Sequence, residues 1–310
     1  MNILNLTEVV VRSTDTFEDL KRKVELATIL GTIQATLTDF VYLSEEWKRN
    51  TEEERLLGVS LTGIMDHPVL NGSNVETKGF EDWDVFIEYD LENMLETLRE
   101  HARRVNENWS TMLGIPSSAA ITCVKPSGTV SQLVDSASGI HARHNDFYIR
   151  RIRMDKKDPM YSFLKDKGAI VEDEVRSPDT TAVFSFPIKA PEGAILRNDR
   201  TAIEQLELWL IYQKHWCEHK PSITVSVKDE EWPEVIAWVW KHFDEVSGIS
   251  FLPFSDHTYQ QAPYEDCTEE QYKQMLESLP RSINWSEMIE NRDNTEGTQT
   301  LACVAGSCEI

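Results

Sequence analysis

Two cysteines near the end of the sequence, Cys303 and Cys308, have the spacing of a thiol pair that exchanges disulfides. They lie in LACVAGSCEI, within a polar, Gly- and Thr-rich stretch that starts at about Asn291. A structural zinc site needs four ligands, and this stretch offers two. Accessible thiols on a flexible segment suit thiol–disulfide exchange. The pair therefore predicts a redox shuttle, and a cysteine pair without function is the alternative.

The stretch ITCVKPSGTVSQLVDS predicts an anion site where a strand turns into a helix that starts at about Ser131. The free N–H groups at a helix start and the positive end of the helix dipole attract anions. Gly128 lets the backbone approach a ligand closely, and the hydroxyl groups of Ser127, Thr129 and Ser131 add donors. The alternative is an ordinary turn in which Ser and Thr cap the helix. The predicted site comprises Pro126, Ser127, Gly128, Thr129, Val130 and Ser131.

Arginines are concentrated in the following stretch, GIHARHNDFYIRRIR. They are Arg143, Arg150, Arg151 and Arg153. Guanidinium groups suit phosphate oxygens because their N–H groups match the oxygens in pairs. The stretch is therefore a further candidate for phosphate binding. In the alternative interpretation it is a strand whose outward arginines pair with surface acids.

Two groups of histidines have spacings that raise the question of a metal. His141 and His144 are three residues apart, and HWCEH contains His215, Cys217 and His219. Neither group has a second set of ligands at the distance that zinc motifs require. We expect no metal site, and we expect Cys217 to be buried between surface histidines.

Composition excludes several classes of partner. The 310 residues carry a formal net charge of −22, and so acidic a surface repels nucleic acids and anionic membranes. No apolar run approaches the roughly 18 residues of a membrane span, and no signal peptide is recognisable. The remaining cysteines, Cys123, Cys217 and Cys267, are scattered singly, unlike a secreted disulfide framework. The sequence predicts a cytoplasmic protein without nucleic-acid or membrane partners.

Strand-like and helix-like segments alternate, which predicts an α/β fold with at least a partly parallel sheet. The strand-like segments are ILNLTEVVV, AAITCVK, FYIRRIRM, TAVFSFPI, SITVSV and GISFLPF, and LLGVSLTGIMD is a short, nearly continuous apolar stretch with two glycines. A long helix after STDTF is predicted to be buried along Leu20, Val24, Ala27, Leu30, Ile33 and Leu37. We expect residues 1–290 to form the folded part and residues 291–310 a mobile tail.

The order of these segments resembles the adenosylcobalamin-dependent ribonucleoside-triphosphate reductases, which are class II ribonucleotide reductases of the monomeric type. The resemblance rests on NLTEVVVR, LLGVSLTGIMD, CVKPSGTVSQLVDSASGIHARH, YIRRIR, ISFLPFSDHTYQQAPYE and CVAGSC. It runs from residue 5 to residue 310 but matches only the C-terminal portion of the family. It implies the second part of a ten-stranded α/β barrel, with adenosylcobalamin as cofactor and a ribonucleoside triphosphate as substrate.

The resemblance also implies residue roles. Residues 126–131 match the stretch that holds the substrate phosphates. Cys303 and Cys308 match the tail pair that reduces an active-site disulfide and is itself reduced by thioredoxin. The Asn-Pro-Cys-x-Glu motif of the family, whose cysteine becomes a thiyl radical, is not present in the sequence, and Leu4 stands where the family usually has a reducing cysteine.

These departures predict that the chain is one piece of a split or truncated reductase, inactive alone and dependent on an N-terminal reductase chain. An inactive nucleotide-binding remnant is one alternative. Part of a class I large subunit, which shares the barrel and the tail, is another. The segment DHTYQQAPYE favours class II.

Overall fold

The structure is a computed structural model that describes residues 2–73, 90–254 and 259–289, with the backbone of 303–304 and 307–308. Its strands are β1 (Asn5–Val10), β2 (Leu57–Thr62), β3 (Thr122–Cys123), β4 (Phe147–Asp155), β5 (Val171–Asp173), β6 (Thr181–Lys189), β7 (Thr224–Val227), β8 (Ser250–Pro253), β9 (Tyr264–Asp266), β10 (Cys303–Val304) and β11 (Ser307–Cys308). Its α-helices are α1 (Phe17–Gln34), α2 (Glu45–Glu54), α3 (Leu91–Leu113), α4 (Val130–Leu133), α5 (Pro159–Asp166), α6 (Ala202–His215), α7 (Trp232–Lys241) and α8 (Glu269–Ser278).

The chain forms two compact units. The first comprises Met1–Arg143 and Glu192–Phe254, and the second comprises His144–Pro191 and Ser255–Glu309. The first unit contains the parallel strands and the predicted anion site. No helix among the described residues is long and apolar enough to cross a membrane.

Strands β1, β2 and β3 form a parallel sheet in that order, which confirms the predicted α/β class. All six residues of β2 are buried, as expected for a parallel strand that is covered on both faces. The register pairs Glu8 with Ser60 and Ser60 with Cys123, so these three side chains share one face of the sheet. Strand β7 pairs in parallel with β8, and a bridge between Val124 and Pro221 links β3 to the residues before β7.

Helix α1 begins where the Ser/Thr/Asp cluster predicts it. Thr16 and Asp19 form a capping box, which satisfies two of the free N–H groups of the first turn. The predicted buried face is right in its first half, because Leu20, Val24 and Ala27 are buried.

The second half of that predicted face is wrong. Leu30 is 62% exposed and Leu37 is 72% exposed, and Ile33 is also exposed. At 3.6 residues per turn, each three-residue step falls about 60° short of a full turn. The consecutive steps from Val24 through Ala27 and Leu30 to Ile33 therefore carry the row around the helix and out of the core.

Helix α6 anchors the region around the end of β3. It begins with a second capping box, Thr201 with Glu204. Trp209 on this helix is buried, and its indole N–H donates to the carbonyl of Pro221 at 2.9 Å. Just beyond the helix, the indole of Trp216 donates to the carbonyl of Cys123 at 2.8 Å. A buried tryptophan is stable when its one polar group is paired, and these bonds fix the backbone that leads into the predicted anion site.

The second unit contains an antiparallel sheet in the order β5-β6-β4-β9. Strands β4 and β6 pair along nine residues each, and β9 pairs with the first half of β4. The strand predicted from FYIRRIRM is β4, and the one predicted from TAVFSFPI is β6. The short strands β5 and β9 carry little pattern of their own, so the sequence did not predict them.

Candidate functional site

The predicted anion site is a turn that joins β3 to α4. Ser127 lies in the left-handed region with a φ of 52°, and its carbonyl accepts a hydrogen bond from the N–H of Ser131 at 3.0 Å. The N–H groups of residues 127–130 donate to no acceptor among the described residues. Successive free N–H groups in a turn of this kind form an anion-binding concavity.

Helix α4, which follows the turn, begins close to the predicted Ser131 but is short. It has only four residues, Val130–Leu133, because Asp135 adopts a left-handed φ of 46° and turns the chain away. So short a helix has no useful macrodipole. The turn itself, and not a helix dipole, must therefore supply the attraction for an anion.

Two of the three hydroxyl groups that were predicted to be donors are already engaged. Ser127 donates its hydroxyl to Oε1 of Glu8 at 2.5 Å. The hydroxyl of Ser131 is buried and lies 2.7 Å from that of Ser138. Thr129 is exposed, so its hydroxyl is the one of the three that is available to a ligand.

Gly128, inside the turn, and Gly139, which packs against it, have different roles. A Cβ atom on Gly128 would meet nothing within 4 Å, so this glycine borders open space that a ligand can fill. A Cβ atom on Gly139 would lie 2.5 Å from the carbonyl oxygen of Lys125, and Gly139 has a φ of 54°. Glycine is required at position 139 for close packing against the turn.

Glu8 connects the turn to the sheet. Its Oε1 accepts hydrogen bonds from Ser127 at 2.5 Å and from the hydroxyl of Ser60 at 3.0 Å. Ser60 in turn accepts a bond from the N–H of Lys125 at 3.0 Å. Burial raises the pKa of the Glu8 carboxyl, and the bonds from Ser127 and Ser60 oppose that rise.

Sequence reasoning missed Glu8 and Ser60. The available signal was a single acidic residue inside the apolar strand NLTEVVV. Its significance follows only from the parallel register, which places Glu8 opposite Ser60 and close to a turn that is 119 residues away in the sequence.

A concavity of about 160 Å³ opens beside the turn. The ring of His141, on its wall, donates Nδ1–H to the carbonyl of Ser138 at 2.9 Å and accepts the N–H of Thr224 at Nε2 at 3.0 Å. Burial lowers the pKa of His141, and both nitrogens are engaged, so the imidazole is neutral. The lining residues are Pro126, His141, Lys220, Ser222, Ile223, Thr224, Gly248 and Ser250.

Arg143 is a structural residue of the first unit. Its guanidinium forms a bidentate pair with Asp66, through Nε to Oδ1 at 2.9 Å and Nη2 to Oδ2 at 2.8 Å. Its Nη1 also bonds Asp135 at 2.8 Å. Arg143 and Asp66 are almost completely buried, so the guanidinium is engaged by protein carboxylates.

The arginines of β4 are engaged by groups of the protein itself, and Arg151 pairs with a partly exposed acid as the alternative interpretation describes. Arg150 lies over the ring of Tyr264, 4.4 Å from its centroid. Arg151 forms an ion pair with Glu265 at 2.7 Å, and Arg153 bonds a backbone carbonyl at 3.0 Å. All belong to the second unit.

The histidines of HWCEH have separate partners. His215 lies 2.9 Å from Glu96, whereas His219 lies 2.7 Å from the carbonyl of Leu57. Cys217 between them is buried as predicted. Within the described ranges, no three His, Cys, Asp or Glu side chains are grouped so that they could hold a metal ion.

The terminal cysteines are described by their backbone alone. Strands β10 and β11 pair in an antiparallel manner, with Cys303 directly opposite Cys308. Opposite Cα atoms in such a ladder lie about 4.5–5.5 Å apart, which is within the range that a disulfide bridges. The rest of the predicted mobile tail lies outside the described residues.

The chain has the fold of a class II ribonucleotide reductase. It matches a crystal structure of the B12-dependent (class II) enzyme with a TM-score of 0.75 and 26% sequence identity, over 91% of this chain and 41% of that chain.

Sequence comparison agrees, because the chain is similar over nearly its whole length to adenosylcobalamin-dependent ribonucleoside-triphosphate reductases. It is 28% identical to that of Euglena gracilis over 314 residues, which cover 99% of this chain and 40% of the relative. It is 32% identical to a probable enzyme of this kind from Dictyostelium discoideum, over 83% of this chain and 32% of the relative.

The reductase of Lactobacillus leichmannii is 27% identical over 290 residues, which cover 86% of this chain and 38% of that protein. The chain thus spans about 40% or less of the length of these curated relatives. No protein-family model matches it.

Proposed function

We propose that the chain is the C-terminal part of an adenosylcobalamin-dependent ribonucleoside-triphosphate reductase and that residues 126–131 hold the triphosphate of its substrate. The observation that carries the proposal is the turn at Ser127, where N–H groups that have no acceptor among the described residues border open space at Gly128. In this role the backbone N–H groups and the Thr129 hydroxyl bind the phosphate oxygens.

The proposed redox role belongs to Cys303 and Cys308. In the complete reductase these thiols would reduce an active-site disulfide, become oxidised to a disulfide themselves and then be reduced by a thioredoxin-type dithiol. The opposed backbone positions of the two cysteines support this role, because they suit a disulfide between them. The buried cysteines, Cys123 and Cys217, do not suit it. Cys123 is buried, and burial raises the pKa of its thiol to about 12.

The proposed reaction needs groups that these 310 residues do not supply. No Asn-Pro-Cys-x-Glu segment occurs in the sequence. A thiyl radical would therefore come from a second protein segment, and the same segment would supply a reducing thiol in place of Leu4. The proposed partner is an N-terminal reductase chain, and the proposed compartment is the reducing cytoplasm.

Exposed apolar surface supports such a partner. Leu26, Leu30, Ile33 and Leu37 are exposed along one side of α1 and the turn after it. Strand β1 is also the edge strand of its sheet among the described residues. Unpaired strand edges and contiguous apolar side chains are features of surfaces that another protein segment covers.

Adenosylcobalamin is proposed as the cofactor of the complete enzyme, where it would generate the initiating radical. The concavity beside the turn does not fit it: about 160 Å³ is well below the roughly 300–1,000 Å³ of pockets that enclose ordinary ligands. A corrinoid is larger still. This concavity is therefore not the proposed cofactor site.

The decisive experiment is co-expression of the chain with an N-terminal reductase segment that contains Asn-Pro-Cys-x-Glu. We expect the pair, and neither part alone, to reduce ribonucleoside triphosphates with adenosylcobalamin and a dithiol. Turnover by the 310-residue chain alone would contradict the partner proposal. Nucleotide binding without turnover in the assembled pair would support the remnant alternative, for which the leucine at position 4 is the motivating observation.

A further inference from the structure

A carboxylate inside an apolar strand calls for an explanation that the fold alone does not provide. The residues on either side of Glu8 on the same face of β1 are the exposed Leu6 and the half-buried Val10, and Glu8 itself is half-buried. An apolar residue at position 8 would also suit this strand. Burial raises the pKa of Glu8, so keeping its carboxylate charged there costs free energy, which the hydrogen bonds from Ser127 and Ser60 offset in part. A carboxylate that is partly removed from water is retained only where its hydrogen bonds are useful.

Glu8 is linked by hydrogen bonds to the residue that leads into the turn, Lys125, and to Ser127 within the turn. Through the Ser60 hydroxyl it fixes the N–H of Lys125, two residues before the turn's central serine. It also bonds that serine, Ser127, directly at 2.5 Å. The three segments that meet here come from β1, from β2 and from the chain after β3. The geometry therefore clamps the turn at two points.

Ser127 is the residue whose conformation these hydrogen bonds stabilise. Its φ of 52° lies in the left-handed region, which a residue with a Cβ atom adopts only at a cost in energy. A hydrogen bond to a charged acceptor is among the stronger interactions of a side chain, and it can offset that cost. Ser127 is also the first residue of the run 127–130, whose N–H groups find no acceptor in the part of the chain that the structure describes.

We infer that Glu8 is a positioning residue for the phosphate turn, which it prepares for anion binding by holding Ser127 in the left-handed conformation. The inference rests on the proposed phosphate site. It also assigns the Ser127 hydroxyl to Glu8 and not to the ligand, so that phosphate is bound by backbone N–H groups and by Thr129.

A double-mutant cycle tests the inference, with affinity for inorganic tripolyphosphate measured by titration calorimetry on the 310-residue chain. Glu8→Leu fills the same space without an acceptor, and Glu8→Gln retains an acceptor without the charge. Ser127→Gly removes the cost of a left-handed φ, because glycine adopts it freely. Glu18→Ala, a substitution of an exposed glutamate on α1, is the matched control.

We expect Glu8→Leu to weaken tripolyphosphate binding by about tenfold or more, the loss of one charge-assisted hydrogen bond. Glu8→Gln should lose less than Glu8→Leu, and Glu18→Ala should lose nothing. In the Ser127→Gly background, the effect of Glu8→Leu should shrink to about twofold or less, because the conformation no longer needs support.

The outcomes distinguish the positioning role of Glu8 from the proposed phosphate site on which it rests. If the unmodified chain binds no tripolyphosphate, the proposed phosphate site is wrong, and the inference is wrong with it. If the unmodified chain binds, but Glu8→Leu costs the same affinity with Ser127 and with Ser127→Gly, the positioning role alone is overturned. Should Glu8→Leu prevent folding, the same comparison is made with Glu8→Gln, whose smaller loss must likewise vanish in the Ser127→Gly background.

Discussion

Gly139 lies directly against the backbone of Lys125. A Cβ atom at position 139 would come within 2.5 Å of the Lys125 carbonyl oxygen, and the left-handed φ of 54° adds a further obstacle to any other residue. The phosphate turn therefore begins on a surface that only glycine permits. Gly128, inside the same turn, has open space where a side chain would be.

This contrast gives a prediction about two glycines. Gly139→Ala should lower the free energy of unfolding by about 1–3 kcal/mol, because it combines a backbone clash with a strained φ. Gly128→Val should leave that free energy within about 0.5 kcal/mol and should weaken nucleotide binding in the assembled enzyme, because the side chain would occupy the ligand's space. Urea denaturation and equilibrium nucleotide binding measure the two effects. Unchanged nucleotide affinity in Gly128→Val would count against the site.

The buried pair of Arg143 and Asp66 gives a second prediction. Both side chains are 3% exposed, so Arg143→Met would leave the Asp66 carboxylate in the interior without its bidentate partner. We expect a loss of about 3–5 kcal/mol in the free energy of unfolding. Lys273→Met, which removes an exposed pair with Glu269, should leave the denaturation midpoint unchanged. Equal midpoints for the two variants would show that the buried pair is not structural.

Acid should destabilise the protein through His141. Burial lowers the pKa of His141 below its usual 6.5, and its Nε2 accepts a backbone N–H. Above pH 6.5 the ring is neutral in both the folded and the unfolded chain. As the pH falls below 6.5, the unfolded chain takes up the proton first, so stability declines until the folded pKa is passed.

The measurement is the urea midpoint between pH 8 and pH 5. His141→Gln, which cannot titrate, should show a flatter dependence over this range than the unmodified chain. His67 contributes in the same direction, because burial also lowers its pKa, so some slope remains in the variant. A slope that His141→Gln leaves unaltered would exclude His141 as its source.

The terminal cysteines give a prediction about reductants in the assembled enzyme. Cys303→Ser with Cys308→Ser should leave the first turnover of a pre-reduced complex intact and abolish sustained turnover with thioredoxin. Dithiothreitol should restore part of the rate, because a small dithiol reaches a buried disulfide that a protein cannot reach. Each single variant should be nearly as impaired as the double, since exchange passes through a mixed disulfide.

The test measures the product formed per enzyme in a single turnover and compares it with the steady-state rate for each reductant. Loss of the first turnover would mean that the pair acts at the ribose and is not a shuttle. Identical steady-state rates with and without the two thiols would mean that the pair has no function.

Local patterns predicted elements well and contacts between elements poorly. The Ser/Thr/Asp cluster marked the start of α1, and the segments FYIRRIRM and TAVFSFPI marked β4 and β6. The spacing that continues to Leu37 did not predict burial, because three-residue steps drift around a helix. The turn at residues 126–131 was predicted from its residue types. Its support by Glu8 was not, because that support depends on strand register between distant segments.

The bond from Glu8 to Ser60 spans 52 positions of the chain, and the bond from Ser60 to Lys125 spans 65. Closing such long loops costs chain entropy before any stabilising contact has formed. Parallel strand pairs of this sequence separation therefore form slowly. Helices α1 and α3, whose backbone hydrogen bonds are local, can form much earlier. The phosphate turn is complete only when all three strands have met. In a refolding experiment, recovery of anion binding would therefore mark the last stage of assembly, well after the helical signal has returned.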